Sequence, residues 1–118
     1  MTVTTDLFRN ESDPHAYQPG EDIFKQGSPG DAMYAVIEGS VNILRDGVVV
    51  DTIGPGGIFG EMALIDDHPR SATATVNSAC KVARIDEKRF NFLVRQTPFF
   101  ALHVMRVLTE RLRKQTEA

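Results

Sequence analysis

The chain has 118 residues, of which 42% are hydrophobic and 25% are charged, and its formal net charge is −3. This size and composition fit one globular domain with its own hydrophobic core, and the acidic balance offers no electrostatic surface for nucleic acid. No apolar run reaches the roughly 18 residues of a membrane-spanning helix. The polar N-terminus has no features of a signal peptide, and the single cysteine, Cys80, fits a reducing compartment. We therefore expect a cytoplasmic protein that does not enter a membrane.

Glycine divides the sequence into two parts. All nine glycines lie between Gly20 and Gly60. Because glycine supplies the positive φ angles of tight turns, we expect short strands joined by turns in the first part. The last third, which contains no glycine, is expected to be helical.

The expected strands are short apolar segments bounded by turn residues. In chain order they are residues 23–24, 33–37, 41–44, 48–53, 72–76 and 81–85. Glu38-Gly39 predicts a turn between the second and third strands, and Asp46-Gly47 is a strong hairpin signal between the third and fourth. Many short strands at close spacing favour a sandwich, a jelly roll or a barrel.

Two helices are expected at the C-terminal end. Asp86 is a good N-cap for a helix over 87–96, and Thr97-Pro98 predicts the start of a second helix that runs from 98 to about 115. The second helix has a wide apolar stripe. Within the stripe a heptad seam is formed by Ala101, Met105, Leu108, Leu112 and Gln115. Either the whole stripe packs on the strands, or one flank packs there and the other contacts a partner chain.

Residues 59–76, FGEMALIDDHPRSATATV, place a carboxylate and a guanidinium near several glycines. The planar fork of Arg70 matches two phosphate oxygens, whereas Glu61 suits a sugar hydroxyl as a charged acceptor. Ser71 adds a hydroxyl, and a short helix beginning at Gly60 would add backbone N–H groups. The pattern predicts a site for a small ligand with one phosphate and a neighbouring ribose hydroxyl.

These residues resemble the phosphate-binding cassette of cyclic nucleotide-binding domains. That cassette reads Phe-Gly-Glu, a small apolar helical turn, a variable loop, and then Pro-Arg-Ser/Thr-Ala. Its parts correspond to residues 59–61, 62–65 and 69–72. The resemblance extends over about 17–115, which is nearly the whole chain.

The resemblance implies a mainly β fold with flanking helices. The family fold is an eight-stranded β jelly roll with an N-terminal helical segment and two C-terminal helices. We accordingly expect a single domain over 1–118, with the β roll at about 17–85. The two helices are then expected at about 86–96 and 98–115.

The resemblance also implies roles for individual residues. Glu61 would accept the ribose 2′-hydroxyl, and Arg70 would pair with the exocyclic oxygens of the cyclic phosphate. Gly60, Ala63 and Ser71 would add backbone or hydroxyl donors. The full set of expected ligand-binding residues is Phe59, Gly60, Glu61, Met62, Ala63, Arg70, Ser71 and Ala72. Glu61 is also placed to cap its own short helix.

The last helix is expected to cover the base. Alignment with bacterial catabolite-activator-type domains puts Arg111, Gln115 and Thr116 nearest the purine. The ligand is expected to be cAMP more than cGMP, and its base would order the helix over 98–115.

Catalysis is not expected, and neither a metal nor another cofactor is expected. A metal-binding jelly-roll enzyme needs a His-x-His pair with further ligands, and no such pair exists in the sequence. No nucleophile is paired with a base at a diagnostic spacing. The alternative to nucleotide binding is an interaction or dimerisation module on the same fold, against which the intact Glu61 and Arg70 argue.

Partners are expected to be the cyclic nucleotide and either a protein or a second copy, bound through the last helix. A DNA-binding module does not fit after that helix, so this chain alone is not expected to bind DNA. The sequence predicts a stand-alone sensor or an excised sensory domain.

Overall fold

The structure is a computed structural model that describes residues 7–66 and 68–116, with only the backbone described at 115 and 116. Residues 7 and 8 are helical, and the rest of the expected N-terminal helical segment lies outside the described residues. The strands are β1 (His15–Tyr17), β2 (Asp22–Phe24), β3 (Ala32–Arg45), β4 (Val48–Ile53), β5 (Ile58–Phe59) and β6 (Thr73–Asp86). The helices are α1 (Met62–Ile65), α2 (Glu87–Gln96) and α3 (Pro98–Thr116).

All strand pairs are antiparallel, and the two 14-residue strands form the centre of the sheet. β6 pairs with β1, β2 and β3, whereas β3 also pairs with β4 and β5. The mainly β architecture with flanking helices is thereby confirmed. The described residues contain six strands, and the register between β3 and β6 shifts repeatedly near Gly39. The expected number of eight strands stays a prediction.

The expected turn at Glu38-Gly39 is wrong, because both residues lie inside β3. Gly39 has a φ angle of 83°, which glycine adopts without steric cost. A Cβ atom there would lie 2.6 Å from the Cα atom of Cys80 on β6. The glycine therefore allows a bulge and a close approach of two strands, rather than a reversal of the chain.

The apolar run at the start of β3 is buried on both faces. Tyr34 and Val36 pack inside the β roll, whereas Met33 and Ala35 face the helices. Side chains alternate between the two faces of a strand, so a run without polar residues is what a strand between two apolar layers requires. The described residues thus form one apolar cluster inside the roll and a second between the roll and the helices.

Helix α2 begins where the sequence predicts. The side chain of Asp86 accepts a hydrogen bond from the backbone N–H of Arg89, at 2.8 Å. The Arg89 guanidinium donates to both carboxylate oxygens of Glu11, at 2.7 and 3.1 Å. Phe8 is buried and its ring meets that of Phe100 edge to face. These contacts fasten the N-terminal segment to the helices.

Helix α3 packs on the roll with one flank. Phe100 and Val104 are buried, and Leu108 packs against the same cluster. The expected heptad seam therefore does not lie on one free face, because Leu108 points to the core. The exposed flank, here called the outer stripe, consists of Phe99, Leu102, Met105 and Leu112. Within the described residues, no helix is long and apolar enough to cross a membrane.

Two strands were not expected from the sequence. β1 and β5 are three and two residues long, which is too short for an alternating pattern to be visible. β5 has a direct consequence for the cassette. Its pairing of Phe59 with Tyr34 on β3 sets the position from which Gly60 and Glu61 leave the sheet.

Candidate functional site

The cassette residues are held by backbone hydrogen bonds on both sides. The chain runs from β5 through α1 and a loop into β6. At the end of the loop, the N–H of Arg70 donates to the carbonyl of Ser28 at 2.8 Å, and the carbonyl of Arg70 accepts from the N–H of Gly27 at 2.7 Å. The backbone of Arg70 is thus fixed against the turn that precedes β3.

The Arg70 side chain is 7% exposed and points into the molecule. Its Nη1 donates to the carbonyl of Gly60 at 2.9 Å, and its Nη2 donates to that of Ala32 at 2.7 Å. The guanidinium lies over the ring of Phe24, 3.9 Å from the centroid, a favourable cation–π geometry. Burial lowers the pKa of Arg70, and nearby Tyr34 acts in the opposite direction. The group nevertheless stays charged, because arginine does not lose its proton in proteins.

Two glycines make room for this guanidinium. Gly60 has a φ angle of 77°, and a Cβ atom there would lie 2.8 Å from Arg70 Nη1. A Cβ atom on Gly30 would lie 2.6 Å from Arg70 Cζ and 3.0 Å from the Cβ of Ala63. Gly30 was expected only as a turn residue. Its position against Arg70 depends on a contact across 40 positions of chain, which the sequence does not display.

Glu61 is 2% exposed and meets a residue of α3. Its Oε1 accepts a hydrogen bond from Nη1 of Arg111, whose Nη2 donates to the carbonyl of Ile58 at 2.5 Å. Among the described residues, no polar atom pairs with Glu61 Oε2 or with Arg70 Nε. The expected capping of α1 by Glu61 is wrong, since its carboxylate makes no cap hydrogen bond within the described chain.

The other expected cassette residues lie in three kinds of environment. Phe59 and Ala72 are buried, and the Phe59 ring stacks on Tyr34 at 5.3 Å. Met62 is half exposed and Ser71 is exposed. The backbone N–H of Ala63 donates to the carbonyl of Gly60, which precedes α1, at 3.3 Å. Phe59 therefore supports the cassette from the core, whereas Met62 and Ser71 remain accessible.

Of the three residues expected to contact the base, the structure describes the side chain of one, Arg111. The Arg111 side chain forms a hydrogen bond with Glu61, which is the residue expected to bind the ribose and not the base. The side chains of Gln115 and Thr116 lie outside the described part. Next to Arg111 is a cavity of about 160 Å³ between the roll and α3. It is lined by Asp51, Ile53, Gly57, Ile58, Val107, Glu110, Arg111 and Lys114.

A larger cavity, of about 300 Å³, lies against α1 and the start of α2. Its lining includes Asp31, Asp86 and Glu87. Asp86 is occupied as the helix cap, and Asp31 pairs with Arg84 at 2.9 Å. In residues 7–66 and 68–116, no group of three or more histidine, cysteine, aspartate or glutamate side chains is placed to hold a metal ion.

Comparison with known proteins identifies the family. A family model described as cyclic nucleotide-binding domain matches residues 14–97. The chain belongs to the cyclic nucleotide-binding domain family. The resemblance of residues 59–72 to the family cassette is thus part of a match across most of the chain.

Three similar proteins show the range of this family. A cAMP-dependent protein kinase regulatory subunit of Dictyostelium discoideum is 39% identical over 89 residues, which are 69% of this chain and 27% of that protein. The crystal structure of Thermus thermophilus catabolite activator protein matches with a TM-score of 0.81 and 32% identity, over 94% of this chain and 55% of that chain. The cGMP-bound form of an EAL enzyme matches with a TM-score of 0.67 and 30% identity, over 89% of this chain and 29% of that chain. In each case the matched part is less than two thirds of the relative's length.

Proposed function

We propose that this chain is a sensory or regulatory domain that binds a 3′,5′-cyclic nucleotide and does not catalyse a reaction. The observation that carries the proposal is the pair of buried polar atoms, Glu61 Oε2 and Arg70 Nε, for which the described residues supply no partner. Leaving a buried polar group without a hydrogen bond costs about 1–3 kcal/mol, and more for a charged group. A ligand with an acidic phosphate and a hydroxyl would offset that cost.

The proposed contacts follow the chemistry of each group. Arg70 pairs with the exocyclic oxygens of the cyclic phosphate, and Glu61 accepts the ribose 2′-hydroxyl. Gly60, Ala63 and Ser71 supply further donors, while Phe59, Met62 and Ala72 shape the cassette. The base lies toward α3, where Arg111, Gln115 and Thr116 are the proposed contacts. No metal or other cofactor takes part.

We favour cAMP over cGMP as the ligand. Support comes from the names of two similar proteins, a cAMP-dependent kinase regulatory subunit and a catabolite activator protein. The cGMP-bound structure of the EAL enzyme makes cGMP the competing ligand. The proposed location is the cytoplasm, and binding to DNA by this chain alone is not part of the proposal.

Removing the Arg70 guanidinium tests nucleotide binding. We expect Arg70→Ala to weaken cAMP binding by about 2–5 kcal/mol, because the phosphate charge would be left unpaired in a buried site. The matched control is Arg45→Ala, which removes the same charge from an exposed position. Equal affinity of the two variants would favour the alternative of a module that binds no nucleotide.

Ligand-dependent ordering of α3 is the proposed response. The base offers the helix an apolar platform. The nucleotide can shift the helix from a less ordered to a more ordered position only as far as it binds the ordered position more tightly. We expect slower backbone hydrogen exchange over residues 98–116 when cAMP is present. Identical exchange with and without cAMP would contradict this response.

The outer stripe of α3 is the proposed contact with a second copy of the chain. Phe99 and Leu112 are 70% and 63% exposed, and Met105 is 60% exposed. Phe99, Leu102 and Met105 follow one another at steps of three residues, and Leu112 follows Met105 by seven residues, which is one heptad. Sedimentation at increasing concentration should show a dimer, and Met105→Glu should abolish it. A wild-type chain that stays monomeric would leave the stripe to another protein.

A further inference from the structure

The turn at residues 25–28 holds both ends of the last part of the cassette, residues 70–73. Arg70 forms two backbone hydrogen bonds with this turn, at 2.7 and 2.8 Å. Where β6 begins, the backbone N–H of Gln26 donates to the hydroxyl of Thr73 at 2.9 Å. A movement of the turn is therefore passed on to the backbone that carries the Arg70 guanidinium.

The side chain of Gln26 ties this turn to the hairpin that joins β3 and β4. Its Nε2 donates to Asp46 Oδ1 at 3.0 Å, and its Oε1 accepts from the backbone N–H of Asp46 at 2.9 Å. Asp46 has a φ angle of 53°, a left-handed conformation that aspartate and asparagine adopt more readily than most residues. The last pair of the hairpin, Arg45 with Val48, adjoins this position. Two hydrogen bonds of one side chain thus join the turn to a hairpin that is itself part of the sheet.

We propose that Gln26 is a positioning residue for nucleotide binding, which holds the 25–28 turn where Arg70 can reach the phosphate. This inference rests on the proposed function. Gln26 is exposed, and it acts through the backbone of Arg70 and not by touching the ligand. A group that is held in its binding position before the ligand arrives avoids an ordering cost that would otherwise weaken association. The pair formed by Gln26 and Asp46 therefore contributes to affinity from outside the site.

The alternative role of this pair is that of an ordinary surface contact. Both residues are exposed, and water competes for exposed hydrogen-bonding groups. A contact of that kind would change stability slightly and leave the affinity for the nucleotide as it is. The two roles therefore differ in their effect on affinity.

The first test compares Gln26→Met with the wild type in calorimetric titrations with cAMP. Methionine keeps an unbranched stem and removes both hydrogen-bonding groups. Because a typical net hydrogen bond changes an equilibrium constant by roughly two- to tenfold, we expect this variant to bind cAMP about three- to tenfold more weakly. The matched control is Gln18→Met, which replaces another exposed glutamine and should bind like the wild type.

An exchange of the two functional groups tests whether the pair itself carries the effect. Gln26→Glu sets a carboxylate against that of Asp46 and should weaken cAMP binding. Asp46→Asn keeps an acceptor for the Gln26 amide and also tolerates the left-handed backbone, so it should match the wild type. In the double variant the new amide can donate to the new carboxylate, and the affinity should recover.

Residue-resolved hydrogen exchange shows whether the effect reaches the cassette. Without cAMP, Gln26→Met should speed up exchange at the N–H groups of Gly27 and Arg70, which bond between the turn and the cassette. The central pairs of β3 and β6 should exchange as in the wild type. Faster exchange throughout the sheet would mean a general loss of stability and would overturn the positioning role.

The outcomes distinguish the positioning role from the function on which it rests. Weaker binding by Gln26→Met and Gln26→Glu, with recovery in the double variant, supports the positioning role. Wild-type affinity of Gln26→Met, or no recovery in the double variant, overturns it and leaves the proposed function standing. No binding of cAMP by the wild type or by any variant overturns the proposed function and the positioning role with it.

Discussion

The cassette and the last helix differ in how firmly the fold holds them. Glu61 and Arg70 are 2% and 7% exposed, and backbone pairs with the 27–28 turn and with β3 fix the segments that carry them. α3 is held along one flank, and its outer stripe is exposed. Glu61 and Arg70, the proposed ligand-binding residues, thus lie on firmly held segments. Helix α3, which is proposed to respond to the ligand, is held by one apolar face and by the contact of Arg111 with Glu61.

The largest expected effect tests whether the buried flank holds α3. Phe100 is fully buried between Phe8 and Phe90. Phe100→Ala should lower the free energy of unfolding by about 3–5 kcal/mol through lost burial and a cavity. Phe99→Ala removes the same side chain from the outer stripe and should change stability by less than about 0.5 kcal/mol.

Chemical denaturation at low protein concentration measures both variants, so that self-association does not contribute. Similar losses for the two variants would mean that the helix is held on both faces even in the monomer. The contrast between a firmly held cassette and a helix that the fold holds by one face would then be wrong.

The second effect concerns the charge of Glu61. Glu61→Gln keeps the shape of the side chain but removes its charge. Because hydrogen bonds to charged groups are worth about 1.5–3 kcal/mol, cAMP affinity should fall roughly 10- to 150-fold. The matched control, Glu38→Gln, removes a carboxylate from an exposed pair with Lys81 and should bind like the wild type.

Titration calorimetry gives the affinities of both variants. Unchanged binding by Glu61→Gln would show that the buried carboxylate serves α3 and not the ligand. The recognition part of the molecule would then be Arg70 and its neighbours alone.

A smaller effect is expected at the junction of sheet and helices. The Asp86 side chain accepts a hydrogen bond from the first turn of α2. Asp86→Ala should cost about 1 kcal/mol of stability, the usual value of an N-cap. Lys88→Ala, at an exposed position of the same helix, serves as the control in thermal unfolding. Equal midpoints of the two variants would show that the cap contributes nothing.

The smallest effect is a pH dependence from His103 on α3. Burial lowers the pKa of His103 below its ordinary value of 6.5; Arg106 acts in the same direction and Glu110 in the opposite one. The unfolded chain therefore takes up the proton first as the pH falls. The stability contribution is complete above pH 6.5 and is lost as the pH falls from 6.5 through the lower pKa of the folded state.

Thermal unfolding between pH 8 and pH 5 should show a weaker pH dependence for His103→Gln than for the wild type. If His103→Gln shows the full wild-type pH dependence, the burial of this flank of α3 is less complete than the structure indicates.

Much of the fold could be predicted because its signals are local. Asp86 and Pro98 marked helix starts that the structure contains, and turn residues bounded most of the strands, although β6 lies in the part without glycine. The Glu38-Gly39 turn was misjudged because a bulge and a turn use the same residue, and only the partner strand distinguishes them. β1 and β5 exist through pairing with β6 and β3, so their own residues carry almost no signal.

The site was predictable in its residue types and not in its contacts. A carboxylate and an arginine at cassette spacing indicated a phosphate and a sugar hydroxyl. The sequence did not indicate that Gly30 shapes the space around Arg70 or that Arg111 takes an oxygen of Glu61. Both contacts join segments distant in sequence, so they depend on the completed packing of the roll and the helix.

The most direct test of nucleotide binding is calorimetric titration of the purified chain with cAMP, cGMP and linear 5′-AMP, with thermal unfolding as a second readout. We expect both cyclic nucleotides to bind, because a cyclic phosphate and a 2′-hydroxyl held in one rigid frame match Arg70 and Glu61, and we expect cAMP to bind more tightly than cGMP. We expect no comparable binding of 5′-AMP. An absence of heat and of any thermal shift with all three nucleotides would contradict the central claim that Glu61 and Arg70 form a nucleotide site.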